Sequence, residues 1–135
     1  MIQFTVPGRV PAATSPNART GWQKRHSEGN AYGMAIGLIA RLCAPDAAFS
    51  RAHVTVTQRA VRLRDHDNFI ASFKPGLDAI VRAGIILDDN PSVIDLTVKA
   101  EKCAKKADEC VIVTIDEIRD GTASDLMARI REAGR

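Results

Sequence analysis

The densest chemistry in this sequence lies in two acidic clusters, Asp65-His66-Asp67-Asn68 and Asp88-Asp89-Asn90-Pro91-Ser92. Two carboxylates two positions apart at the end of an extended segment point to the same side. Such a pair makes a hard-oxygen site suited to Mg²⁺, which takes one or two carboxylates and completes its shell with water and phosphate oxygens; Mn²⁺ shares that oxygen preference. His66 alternates with its neighbours and is expected on the other side, so no role as a base is assigned to it. Each cluster alone has an ordinary alternative. Asp67 or Asn68 suits a helix cap, and D-D-N-P-S is common turn chemistry. The two together carry more weight, because the segment between them has a helical pattern that returns the chain to Asp88 and Asp89 beside the first pair.

The elements that must position these residues read as follows. Residues 2–6 alternate apolar and polar and end at Pro7-Gly8, which predicts a short strand and a turn. Residues 11–30 lack periodicity and read as a long loop holding Arg19, Lys24, Arg25 and His26 around Trp22, a composition able to grip a nucleic-acid backbone. Residues 31–42 place Tyr32, Ala35, Ile36, Ile39 and Leu42 on one helical stripe, stopped by Pro45. Residues 51–60 alternate as a strand that runs on through Arg59, Arg62 and Arg64 into Asp65. A second helix spans residues 69–82 with Gly84 as its stop, and Pro75 within it predicts a kink or a new helix beginning there. After the Asp88 turn, strands at residues 93–100 and 109–118 form a hairpin whose tip carries Lys102, Lys105 and Lys106. Residues 122–133, with Leu126, Met127 and Ile130, read as a short terminal amphipathic helix. The fold class expected is α+β, a small mixed β-sheet with helices packed on it, in a single domain over residues 1–135.

Composition sets the bounds. With 135 residues and 45% hydrophobic content, the chain supports one core. Cys43, Cys103 and Cys110 are odd in number and form no C-x-x-C pair, which points to a reducing, cytoplasmic compartment. The N-terminal residues lack the features of a signal peptide, and the longest apolar run, residues 34–43, contains Arg41 and is too short for a membrane span. Net charge is +3, but it is unevenly placed. Residues 1–64 carry nine Lys/Arg against two acids, hence +7, and the remainder sums to −4. A metal-dependent nuclease needs this division, with cations for phosphates and carboxylates for the metal.

The order of residues also has a family likeness. Arg64-Asp65-His66-Asp67-Asn68, then Lys74, Asp78 and Ala79, then Ala83-Gly84-Ile85-Ile86-Leu87-Asp88-Asp89, resembles the RusA family of Holliday junction resolvases over roughly residues 1–118, with the terminal helix as an addition. The spacing from Asn68 to Lys74 is three residues longer than in the family pattern. The resemblance implies a homodimer that binds four-way DNA junctions and cuts them symmetrically with Mg²⁺. It implies Asp65, Asp67 and Asp89 as essential carboxylates, Asp88 as an adjacent metal ligand and Lys74 as the catalytic lysine. In that scheme Lys74 neutralises charge on the phosphate, and Arg19, Lys24, Arg25, Arg59, Arg62, Arg64, Lys102, Lys105 and Lys106 hold flanking backbone. Two other readings remain: a branched-DNA binding module without catalysis, and a metal-dependent nuclease acting on another branched nucleic acid or on RNA.

Overall fold

The chain was analysed as a computed structural model, which describes residues 1–16 and 18–119. Among these residues four strands and three α-helices follow in the order β1 (Ile2–Pro7), α1 (Trp22–Cys43), β2 (Ala52–Ala60), α2 (His66–Ser72), α3 (Lys74–Arg82), β3 (Ile94–Lys102) and β4 (Cys110–Glu117). The expected α+β class is observed. The terminal helix expected at residues 122–133 lies outside the described residues.

The sheet has the order β1-β4-β2-β3. β4 runs antiparallel to both its neighbours, while β2 and β3 are parallel from Ala52↔Ile94 to Ala60↔Lys102. A parallel pair needs a crossover rather than a tight turn, and α2 and α3 provide it. This overturns the expected hairpin: β3 and β4 are consecutive in sequence, yet β2 lies between them. The alternation that marks a strand is blind to which neighbour it pairs with. The tip itself persists, and Lys102, Lys105 and Lys106 are all exposed there.

One core lies between sheet and helices, built from Val54, Val56, Val113 and Ile115 on the strands, Ile36, Phe69 and Ile80 on the helices, and Phe73 at the junction of α2 and α3. α3 packs on α1 through small residues. A Cβ on Gly33 would sit 3.2 Å from the Pro75 carbonyl oxygen, and one on Gly76 would sit 2.7 Å from the Phe73 ring and 2.8 Å from Ile36. Pro75 falls in the first turn of α3, where its missing N–H has no intrahelical partner to lose. The expected break is therefore a new helix. α3 ends at Ala83 before Gly84, whose φ of 86° is the left-handed conformation that glycine adopts without steric cost.

Two further expectations are corrected. The loop assigned to residues 11–30 is helical from Trp22 onward, so Trp22, Lys24, Arg25 and His26 stand on the first turns of α1. Those turns are exposed and carry no apolar stripe. The buried face further on uses Gly29, Tyr32, Gly33, Ile36 and Ala40, with glycine where a hydrophobic residue would have signalled a helix. Ala35 and Leu42, placed on the buried stripe by sequence, are exposed. The second correction concerns the strand expected to run into Asp65. β2 stops at Ala60, and α2 begins at His66 rather than near Phe69.

Candidate active site

Asp65 is the N-cap of α2, and its Oδ1 accepts a hydrogen bond from the Asn68 backbone N–H at 2.8 Å. Neither Asp67 nor Asn68 has that role. Asp67 follows in the first turn, where the helix dipole favours a negative charge. Because β2 has already ended, the two carboxylates are neighbours by helix-start geometry, not by strand alternation. Both line an open cleft of about 440 Å³ together with Pro16, His66 and Asn68. His66 therefore shares the cleft with the acids rather than facing away from them. Among the described residues Asp67 makes no hydrogen bond or ion pair, so its carboxylate is open to a ligand.

Residues that sequence reasoning missed hold this helix start in place. The Gln58 side chain clamps Arg64, accepting from its N–H at 3.1 Å and donating to its carbonyl at 2.8 Å, which fixes the backbone just before Asp65. Asn68 donates to the Ser15 hydroxyl at 2.9 Å, and Ser72 donates to the Asn68 carbonyl at 2.8 Å. Gln58 and Ser72 are buried polar groups, and buried amides and hydroxyls are kept where they are hydrogen-bonded. A glutamine near the end of a strand whose apolar positions face the core was the available signal.

The second cluster is arranged differently. Asp88 is committed to its own turn, accepting from the Asp89 N–H at 2.7 Å and from the Asn90 amide at 2.8 Å. Lys74, the first residue of α3, forms an ion pair and short hydrogen bond with Asp89 and a second ion pair with Asp78 at 3.2 Å. The hydrogen bond from Lys74 holds the Asp89 carboxyl below the usual carboxylate range, and Asp89 in turn raises the Lys74 ammonium above its ordinary value. Lys74 thus contacts Asp78 and also bridges 15 residues to the D-D turn.

The expected cations divide as well. Arg59 is paired with Glu101 on the adjacent strand at 2.7 Å. Arg64 donates to the Val10 carbonyl at 2.5 Å, and burial lowers its guanidinium from the ordinary value, with Arg9 adding to the effect. Arg25 donates to the Ala18 carbonyl at 3.2 Å. Arg19, Lys24 and Arg62 are exposed, as are the three lysines of the tip.

Among the described residues, no three His, Cys, Asp or Glu side chains converge as a set able to hold a metal ion. The four acids do not form one cluster. Asp65 and Asp67 nevertheless have the donor chemistry Mg²⁺ requires, since two carboxylates suffice when water and phosphate supply the remaining oxygens. The three cysteines are free thiols, and no described helix is long and apolar enough to cross a membrane. No family model and no curated protein sequence matches the chain.

Proposed function

We propose that this protein is a Mg²⁺-dependent endonuclease of the RusA type that nicks branched DNA, with the four-way junction as its substrate. The observation that carries this reading is the pair Asp65 and Asp67 on the rim of one open cleft, beside a second cleft lined by Arg9, Arg19, Lys24 and Arg64, with Asn68 common to both. Carboxylates and phosphate-binding cations thus meet at the start of α2. When bound, Mg²⁺ or Mn²⁺ supplies Lewis acidity and a more acidic water.

The chain's own residues do the rest. Asp67 offers an uncommitted carboxylate, and Asp65 offers the oxygen that is not capping α2. Gln58 and Ser15 keep the helix start rigid, which holds the carboxylates in one geometry. Lys74 stays cationic between Asp89 and Asp78 and neutralises charge on a phosphate only by giving up those partners. Arg62 and the Lys102, Lys105 and Lys106 tip contact flanking backbone without reading sequence. Symmetric cutting of a four-way junction requires two sites related by a two-fold axis, so the working unit is a homodimer, acting in the cytoplasm.

The test is cleavage of a labelled synthetic four-way junction with Mg²⁺ or EDTA, alongside fork, linear duplex and single-stranded RNA. Paired symmetric nicks that need Mg²⁺ and occur on the junction support the reading. Tight junction binding without cleavage would leave a branched-DNA binding module, and preferential cleavage of another substrate would replace the junction as the target.

A further inference from the structure

The cleft next to the Asp65 and Asp67 rim has a volume of about 550 Å³, and Arg9, Arg19, Thr20, Lys24 and Arg64 line it with Glu28 as the acid of the same wall. Four cations against one carboxylate make its balance strongly positive. Three buried side-chain atoms among the described residues lack a hydrogen-bond partner: Thr20 Oγ1, Arg64 Nη1 and Tyr32 OH. Thr20 and Arg64 line this cleft, and Tyr32 and Arg64 are near enough to act on each other electrostatically. All three orphans carry a proton to donate, and guanidinium has nothing to accept with. Leaving a donor buried and unpaired forfeits the hydrogen bond it made with water. Two of the three, Thr20 Oγ1 and Arg64 Nη1, belong to residues that line the cleft, whose missing component is an acceptor.

The end of α1 strengthens the case. α1 begins at Trp22 after Gly21, with no side-chain cap and no acid in its first turn. Among the described residues its first N–H groups and positive dipole end therefore meet no side-chain cap and no acid of that turn, and Lys24 from that turn lines the cleft. Four cations, one of them from the first turn of α1, and the two unpaired donors of Thr20 and Arg64 on one cleft favour the same occupant, an oxyanion.

We propose that this cleft is a phosphate seat built from Arg9, Thr20, Lys24 and Arg64, and that it takes a backbone phosphate of the DNA flanking the one held at Asp65 and Asp67. Naming DNA as the source of the phosphate rests on the nuclease reading above; the seat itself does not. Thr20 joins the cations of this cleft as a hydroxyl donor to the phosphate. Asn68, shared by the two clefts and held by Ser15, sets the separation between the flanking phosphate and the carboxylates.

The test uses the full chain in EDTA, so that metal and cleavage play no part. Inorganic phosphate is titrated by calorimetry at low ionic strength, and junction DNA by fluorescence anisotropy over a salt series. Arg9→Gln and Lys24→Gln should each weaken phosphate binding at least about tenfold, and Thr20→Val a few-fold. Arg51→Gln, an exposed arginine elsewhere, should leave both titrations unchanged. Losing one phosphate contact should reduce the salt slope of junction binding by about one. Phosphate binding that is absent in the wild type, or equal in wild type and variants, would overturn the seat. Loss of phosphate binding with junction affinity and salt slope unaltered would overturn its assignment to DNA. A seat that passes these tests in a protein that cuts no junction would show the nuclease reading to be the part that failed.

Discussion

The two acidic clusters have similar sequences and opposite situations. At the start of α2, Asp67 is unpaired among the described residues and Asp65 uses one oxygen for a cap. At the turn after α3, Asp88 satisfies its own turn and Asp89 is neutralised by Lys74. The difference shows what an acidic motif needs in order to be a ligand set. Carboxylates whose hydrogen-bond capacity is filled by the chain stabilise structure, while those left open on a cleft rim can receive a cation. Under the proposed function the first cluster is the one that takes the cation, while the second holds Lys74.

The largest expected effect would break the comparison if it failed. Asp67→Asn should reduce Mg²⁺-dependent cleavage at least about a hundredfold, roughly 2.7 kcal/mol in barrier, while the melting temperature stays near that of wild type. Asp88→Asn should change cleavage only a few-fold. Equal losses in both variants would mean that the two clusters share one role.

Next comes the contact that holds α3, and with it Lys74, against α1. Gly76→Ala places a methyl within 2.8 Å of Ile36 and closer still to the Phe73 ring. Overpacking of this kind costs about 1–3 kcal/mol, to be measured by urea unfolding. The Asp65 end should be affected less, which hydrogen exchange over α2 would show.

A smaller effect separates cap from ligand at Asp65. Asp65→Ala should lose about 1 kcal/mol of stability together with activity, whereas Asp65→Ser should restore most of the stability and none of the activity. Activity returning with serine would make Asp65 a cap and nothing more.

The smallest effect is a pH dependence at the Lys74 and Asp89 pair. Asp89 is depressed by Lys74, so its contribution is present above the ordinary aspartate value of about 3.9 and is lost as pH falls through the depressed value. Lys74 is raised by Asp89, so its contribution is present below the ordinary lysine value of about 10.4 and is lost as pH rises through the raised value. The melting-temperature difference between wild type and Lys74→Met should be flat from about pH 5 to 9 and shrink at both extremes. A difference that instead titrates near neutrality would place another group against Lys74.

Much of this architecture was legible in the sequence because period and punctuation are local signals. The β1 alternation, the break at Pro75, the Gly84 stop and the Asp88 turn all follow from residues within a few positions of one another. The pairing of β2 with β3 was not legible, since alternation fixes a face and not a neighbour. The first turns of α1 were hidden because exposed turns need no apolar stripe, and because Gly29 and Gly33 occupy its buried face where α3 approaches. At the candidate site the acids were visible as types. Their separation into an open pair and a neutralised pair depends on hydrogen bonds that no spacing encodes, and Gln58, Ser15 and Arg9 became visible only once the strands and the start of α2 were in place.

The most direct test of the division between the clusters is Mn²⁺ binding followed by electron paramagnetic resonance, with junction DNA present. The account predicts that wild type and Asp88→Asn bind Mn²⁺ alike, and that Asp67→Asn does not. Binding that survives Asp67→Asn but disappears in Asp88→Asn would contradict it and place the metal at the turn after α3.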